Sequence, residues 1–163
     1  MNKLDSKFRD ERTHDATGFT LIELLVVVVI LGVLIAVAIP LYLNYRKSAN
    51  DAAAESDMRN AISVLEVCRA QNAKYPTQNF EIVPTGTGAT SDVAGTCTSQ
   101  TINLSDGTLL SYSPVGYVGV SYTVVASNVN GAGKYWCYNS AKGGAVKAIA
   151  AGDYAAAVTA GCP

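Results

Sequence analysis

The sequence predicts an α+β fold in which a long amino-terminal helix packs on a carboxyl-terminal antiparallel sheet of about four strands. Three patterns support this prediction. A run of 22 uncharged, mostly apolar residues separates Glu23 from Arg46. Apolar residues then recur at helical spacing between Met58 and Cys68. Farther along, apolar and small polar residues alternate from Val118 to Ala126, which is typical of a half-buried strand.

The uncharged run is long enough to cross a membrane. As a helix it would extend about 33 Å at ~1.5 Å per residue, close to the thickness of the hydrocarbon core of a bilayer. We therefore expect residues 19–43 to form a membrane-spanning half of the helix and residues 44–75 an amphipathic half. Four basic residues precede the run, whereas Arg46 and Lys47 follow it, which favours a cytoplasmic amino terminus.

Glu23 places a carboxylate at the start of this run. An unpaired charge in lipid costs at least about 2 to 3 kcal/mol, so the side chain requires an explanation. It could find an oppositely charged partner. Alternatively, it could lie hydrated at the membrane interface or stabilise the amino terminus of the helix through the helix dipole.

The segment Gly18 to Glu23 reads Gly-Phe-Thr-Leu-Ile-Glu, and together with the apolar run and Pro40 it resembles the class III signal sequence of type IV pilins and pseudopilins. The resemblance implies that prepilin peptidase removes residues 1–18 by cutting the Gly18–Phe19 bond and methylates the new amino group of Phe19. It further implies that Glu23 neutralises this amino group on a neighbouring subunit. Opposite charges in a water-poor filament attract strongly, which makes this role physically reasonable.

The same resemblance implies a structural subunit of a pilus filament. The expected partners are further copies of the chain, prepilin peptidase, the pilus assembly machinery and, before assembly, the membrane. The chain would be a single-pass membrane protein first and an extracellular filament afterwards. Gly32 and Pro40 weaken a helix by about 1 and 3 kcal/mol, and in filaments of the family the matching segment loses helical order. We expect the same break here.

Three alternatives remain open. Ala36-Val37-Ala38 resembles an ordinary secretory cleavage site that would release a soluble protein beginning at Ile39, although the run exceeds a usual signal core of ~7 to 15 residues. The chain could be a pseudopilin of a type II secretion or DNA-uptake system. It could also be a signal-anchored surface domain that never polymerises. Major secretion pseudopilins carry a calcium site near the carboxyl end, and the surroundings of Asp153 do not resemble one.

Four cysteines follow the apolar run, with neither a Cys-x-x-Cys motif nor a nearby histidine. This pattern predicts two disulfides in an oxidising compartment rather than a metal site. Three pairings are possible, and four reduced thiols are the alternative. The resemblance to pilins with a carboxyl-terminal disulfide loop favours Cys137 with Cys162 and, with it, Cys68 with Cys97.

Between the helix and the sheet, residues 76–108 are predicted to form a variable loop with one short strand near Thr101 to Leu104. Residues 109–163 are predicted to hold the sheet and the disulfide loop. The expected strands are 109–113, 118–126, 134–140 and 145–151, with a tight hairpin at Gly143 and Gly144. On the helix, four charged residues should lie away from the packed face: Asp51, Glu55, Arg59 and Glu66.

Composition argues against several chemistries. No histidine remains beyond residue 18, which removes Ser-His and Cys-His pairs and histidine zinc sites. There is no P-loop, dinucleotide glycine motif or EF-hand spacing. We therefore predict that the chain is not an enzyme and needs no metal or cofactor. Seven aromatic residues are expected in the core and on the sheet surface: Tyr112, Tyr117, Tyr122, Tyr135, Trp136, Tyr138 and Tyr154. A DNA-stacking or adhesive patch formed by some of them is an alternative that the sequence does not indicate, because few basic residues lie nearby.

Overall fold

The computed structural model describes residues 18–84, 90–93, 97–150, 158 and 162. The predicted leader, apart from Gly18, and the segment around Asp153 therefore lie outside the described residues. The chain divides into two compact units, Met1–Pro40 and Leu41–Pro163.

A single helix, α1, runs from Leu21 to Asn72 and contains both Gly32 and Pro40. The predicted amphipathic half, residues 44–75, is thus helical as far as Asn72. Ala73 then adopts a left-handed conformation with φ of 57°, and the chain turns into Tyr75 and Pro76. In the single chain the helix continues through Pro40, so the break expected in an assembled filament stays a prediction.

In the first unit α1 is apolar on every side. An 18-residue window of the helix reaches a mean hydropathy of 3.3, and none of that window is buried. By length and composition α1 can therefore cross a membrane. The side chains from Phe19 to Tyr45 are exposed throughout, and this exposure is what lipid or neighbouring helices would cover.

The second unit contains seven strands within the described residues. They are β1 (Phe80–Ile82), β2 (Thr90–Val93), β3 (Cys97–Asn103), β4 (Thr108–Pro114), β5 (Tyr122–Asn128), β6 (Tyr135–Asn139) and β7 (Lys147–Ile149). Antiparallel pairing gives a five-stranded sheet in the order β1-β4-β5-β6-β7, and β2 and β3 form a separate hairpin. The predicted α+β class is confirmed, with one more strand in the main sheet than expected.

The central strand β5 corrects the predicted half-buried strand 118–126. It begins only at Tyr122, because Gly116 and Gly119 adopt φ of 75° and 82° and turn the chain before it. All seven of its residues are buried. One face packs on the helix through the main core, and Val125 on the other face packs with Cys137 and Cys162.

Two further differences concern short segments. The predicted loop 76–108 contains β1, β2 and β3. Because β1 pairs with β4, the rings of Phe80 and Tyr112 stack with their centroids 4.6 Å apart. A strand of three residues is too short to show an alternation. The expected tight hairpin at Gly143 and Gly144 is instead a longer turn over residues 140–146, in which both glycines have positive φ.

Buried carboxylates of α1 hold loops of the sheet. Asp51, predicted to lie away from the packed face, is only 2% exposed, because its carboxylate accepts from the backbone N–H of Ala132 at 3.1 Å. Its backbone carbonyl also accepts from Trp136 Nε1 at 3.0 Å. Asp57 is likewise buried and accepts from the backbone N–H of Ser105 at 2.7 Å.

By contrast, Glu55 and Arg59 form the expected exposed i,i+4 pair.

The turn between β5 and β6 makes a close approach to α1 at Gly131. A Cβ atom at this position would overlap Asp51 Oδ1 and lie 3.1 Å from the carbonyl oxygen of Asn128. We therefore expect Gly131→Ala to lower the free energy of unfolding by about 1 to 3 kcal/mol, the usual cost of overpacking. Urea unfolding of the full chain in detergent would measure it.

The matched control is Ala132→Ser, which changes an exposed side chain in the same turn and should shift stability by no more than about 0.5 kcal/mol. Equal stability of Gly131→Ala and Ala132→Ser would contradict the close packing of this turn on Asp51.

Candidate functional site

The candidate cleavage site lies in front of α1. Gly18 and Phe19 are outside regular structure, and the Phe19 side chain is 86% exposed. A Cβ atom at Gly18 would meet no other atom within 4 Å. The Gly18–Phe19 peptide bond is therefore open to another molecule on a segment that is not locked into helical hydrogen bonds.

Immediately afterwards, Thr20 and Glu23 form a capping box at the start of α1. Glu23 Oε2 accepts from the backbone N–H of Thr20 at 2.8 Å and from Thr20 Oγ1 at 2.7 Å. In return, the backbone N–H of Glu23 donates to Thr20 Oγ1 at 3.3 Å. The spacing is the one at which a Thr N-cap and a Glu three residues later satisfy each other's backbone N–H groups.

The capping box fixes the Glu23 carboxylate in position and uses one of its two oxygens. All hydrogen bonds to this carboxylate within the described residues go to Oε2. In the single chain, Glu23 therefore stabilises the start of the helix, which is one of the interpretations that the sequence left open. Oε1 remains available to a donor from outside the chain.

Gly32 and Pro40 are not brought close to this site. They lie on the same helix about 14 Å and 26 Å from Glu23, at ~1.5 Å per residue. Any effect of these two residues on assembly must therefore act through the helix itself.

The cysteines form two disulfides, with Cα–Cα distances of 5.6 Å for Cys68 and Cys97 and 5.8 Å for Cys137 and Cys162. These are the two pairs that the resemblance to pilins favours. The first ties β3 to the end of α1. The second ties β6 to the carboxyl-terminal residues, where Lys142 Nζ also donates to the carbonyl oxygen of Cys162 at 2.7 Å. Within the described ranges, no group of three His, Cys, Asp or Glu residues could hold a metal ion.

A network of tyrosines and charged residues joins the end of α1 to β5. The Glu66 carboxylate accepts from Tyr75 Oη at 2.9 Å and from Tyr122 Oη at 3.3 Å. Arg69 lies over the Tyr75 ring at 5.0 Å from its centroid and donates to its hydroxyl group. Burial raises the pKa of Tyr122, so this phenol stays protonated at neutral pH and acts as a donor. Glu66 is exposed, as expected for a residue away from the packed face, but the sequence does not indicate that its carboxylate reaches two tyrosine hydroxyls.

Comparisons with known proteins address the amino-terminal site. Residues 14–39 match the family described as "Prokaryotic N-terminal methylation motif". The type IV narrow pilus major component PilA5 of Thermus thermophilus is 31% identical over 90 residues, which cover 55% of this chain and 78% of that protein. The chain belongs to the type IV pilin and pseudopilin family. The resemblance inferred from the sequence is thereby confirmed.

Two other family members share shorter segments. The type IV wide pilus major component PilA4 of Thermus thermophilus is 37% identical over 77 residues, or 47% of this chain and 59% of that pilin. The type II secretion system core protein G of Dickeya chrysanthemi is 40% identical over 60 residues, or 37% of this chain and 39% of that pseudopilin. The matched part of the chain thus spans 59% of the length of the first of these relatives and 39% of the second. Both branches of the family are represented among the similar proteins.

The two disulfides provide a matched comparison, because they close loops of similar length, with sequence separations of 29 and 25. Loop closure alone predicts a loss of about 2 to 4 kcal/mol for either pair when both cysteines become serine. Cys68 and Cys97 also belong to the main core, whereas Cys137 and Cys162 belong to a small cluster. We expect the Cys68→Ser/Cys97→Ser protein to be the less stable of the two in urea. The reverse order would show that packing around Cys68 contributes little.

Proposed function

We propose that the chain is a structural subunit of a type IV pilus filament, with a mechanical rather than an enzymatic role. The observation that carries this proposal is the order of features at the amino terminus. An exposed Gly18–Phe19 bond is followed by a capped Glu23 and then by a helix that is apolar on every side. A protease site, an assembly contact and a membrane anchor thus follow one another within about 25 residues.

The first proposed step is processing. The precursor spans the membrane once with its amino terminus in the cytoplasm, and prepilin peptidase cuts after Gly18 and methylates Phe19. The exposure of both residues, outside the helix, supports this step, because the bond can enter a peptidase without unwinding α1. The family match over residues 14–39 includes both of them.

The second proposed step is docking of one subunit on another. The new amino group of Phe19 on one subunit pairs with the carboxylate of Glu23 on its neighbour, at Oε1. Burial of an ion pair is favourable only when its remaining hydrogen-bonding capacity is also satisfied. Thr20 already supplies two donors to Oε2, which supports a buried role for this carboxylate.

The third proposed step is transfer of α1 from lipid into a bundle of like helices, with the help of the pilus assembly machinery. The exposed apolar surface of the first unit would be covered by copies of itself, and a heterologous contact that does not close extends into a filament. Loss of helical order between Gly32 and Pro40 would let the helix adapt to its neighbours. The filament would then lie outside the cell.

The second candidate function is that of a pseudopilin in a type II secretion or DNA-uptake system. The 40% identity to a type II secretion core protein G, over 60 matched residues, supports this candidate. Electron microscopy of sheared surface material from cells at native expression separates the two. Long surface filaments containing this chain support the pilus. Their absence, together with a secretion defect in a deletion strain, supports the pseudopilin.

Variants of the capping box can separate the charge of Glu23 from its role in the cap. Glu23→Gln keeps an acceptor for the capping box but removes the charge, whereas Thr20→Ala removes the cap partner and leaves the charge. If the proposed ion pair drives docking, Glu23→Gln should reduce sheared filaments at least tenfold, almost as far as Glu23→Ala. Thr20→Ala should have the smaller effect.

The measurement is the amount of filament in sheared material, with mass spectrometry of the amino terminus as the control for processing. All three variants should still be cut after Gly18. Filament levels that follow loss of the cap rather than loss of the charge would reject the pairing, and mature chains that keep residues 1–18 would reject the processing step.

A further inference from the structure

Two surface features of the second unit expose side chains that the fold leaves uncovered. The first is the loop between β4 and β5, residues 115–121, which exposes large apolar side chains. The second is a groove beside Arg46 on α1, here called the Arg46 groove, lined by Leu43, Arg46, Lys47, Asn50 and Val129.

The β4–β5 loop presents its apolar side chains to the outside in a fixed conformation. Tyr117 is 87% exposed, and Val118 and Val120 are each 62% exposed. Backbone hydrogen bonds hold the loop, since Val120 N–H donates to the carbonyl of Tyr117 at 3.1 Å and Tyr75 N–H donates to that of Gly119 at 3.1 Å. A loop that is already ordered loses little conformational entropy when it binds. The expectation that Tyr117 is a core or sheet-surface aromatic is wrong, because it lies at this exposed turn.

The Arg46 groove combines apolar walls with two cations. Its volume is about 480 Å³, within the range of ~300 to 1,000 Å³ of pockets that accept a bound group. Leu43 and the largely exposed Val129 supply the apolar walls. The ion pair found among the described residues joins Arg59 to Glu55, so Arg46 and Lys47 have no carboxylate partner there. Asn50 holds the far side of the groove by donating to the carbonyl oxygen of Asn130 at 2.9 Å.

The two features lie too far apart to meet within one chain. The Arg46 groove is near the start of the second unit, whereas the β4–β5 loop is bonded to Tyr75, just beyond the end of α1 at Asn72. From Arg46 to Asn72 the helix rises about 39 Å at ~1.5 Å per residue. A contact between them must therefore join two copies of the chain.

We propose that the β4–β5 loop of one copy docks in the Arg46 groove of the next copy. Tyr117 places its ring against the Arg46 and Lys47 cations, an attraction that strengthens as water is excluded. Val118 and Val120 cover Leu43 and Val129. Because the two surfaces differ and lie at opposite ends of the same unit, the contact is heterologous, and copies stacked along a filament can repeat it without closing into a ring. This inference rests on the proposed polymerisation and adds a second contact to the one at Glu23.

Cross-linking in intact filaments tests this contact directly. A chain carrying Val118→Cys and Val129→Cys should give a ladder of covalent multimers on mild oxidation, resolved by non-reducing electrophoresis of sheared filaments. Each single-cysteine variant should give none beyond dimers. The matched control combines Val118→Cys with Ala141→Cys, an exposed position in the turn after β6, and should not give a ladder. Filaments of normal yield without a ladder would overturn the contact but leave the proposed pilus function intact.

A series at Tyr117 covers the case in which the cysteine chains fail to assemble. Tyr117→Ala should reduce sheared filaments at least tenfold while the precursor accumulates normally in the membrane, and Tyr117→Phe, which keeps the ring, should assemble like the parent. Val83→Ala is the control for loss of a half-exposed apolar side chain elsewhere. Normal filament yield from Tyr117→Ala would overturn the contact.

Removal of the Arg46 and Lys47 charges tests whether a second copy of the chain or anionic lipid headgroups occupy the groove. Arg46→Ala/Lys47→Ala should reduce filaments without changing the membrane level of the precursor. Normal filament yield from this variant would reject the contact between copies and leave the groove to anionic lipid headgroups, its other candidate occupant. Absence of filaments from the unaltered chain would refute the polymerisation on which all three experiments depend.

Discussion

The first half of α1 is apolar around its whole circumference, and no other part of the described chain covers it. At about 25 cal/mol per Å² of apolar surface, this helix is strongly driven out of water, so it needs lipid or other helices at every stage of its existence. Exchange of lipid for other helices adds little hydrophobic free energy, because lipid tails are as apolar as leucine. The choice between membrane and filament must therefore depend on the polar groups at the ends of this segment and on contacts of the second unit.

The second half of α1 meets a different environment, and its polar residues change their role accordingly. A stripe through Met58 and Leu65 packs on the sheet, while Asp51 and Asp57 are buried beside it as acceptors for loop backbones. Each buried carboxylate accepts hydrogen bonds, from the backbone N–H of Ala132 at Asp51 and from the backbone N–H and hydroxyl of Ser105 at Asp57, as burial of a charge requires. The disulfide at Cys68 and the Glu66 network attach the end of the helix to β3 and β5. The helix thus has a fixed partner where the sheet exists and an exchangeable one where it does not.

Those parts of the structure that depend on local pattern could be predicted from the sequence. The span of α1 follows from the uncharged run and the helical spacing after it. The ion pair between Glu55 and Arg59 follows from their i,i+4 relation. The start of β5 could not be predicted, since the alternation from Val118 to Ala126 is interrupted at Gly119, whose positive φ is a tertiary outcome. Burial of Asp51 was also missed, because its partner Ala132 lies 81 residues away. The capping box could have been predicted, because Thr20 and Glu23 stand three residues apart in the Thr-x-x-Glu pattern at the start of an apolar run.

The capping box also bears on how one carboxylate can serve both the single chain and an assembly. A carboxylate that enters an apolar interface must give up water at both oxygens, and an incoming ammonium group can replace water at only part of that surface. Thr20 has already replaced water at Oε2 with two short hydrogen bonds. In the proposed contact, desolvation of Glu23 would therefore be confined mainly to Oε1, and its rotamer would be set before the partner arrives. If Glu23 pairs with a neighbouring subunit as proposed, the capping box that begins the apolar helix also prepares the contact between subunits, and Thr20 and Glu23 form both.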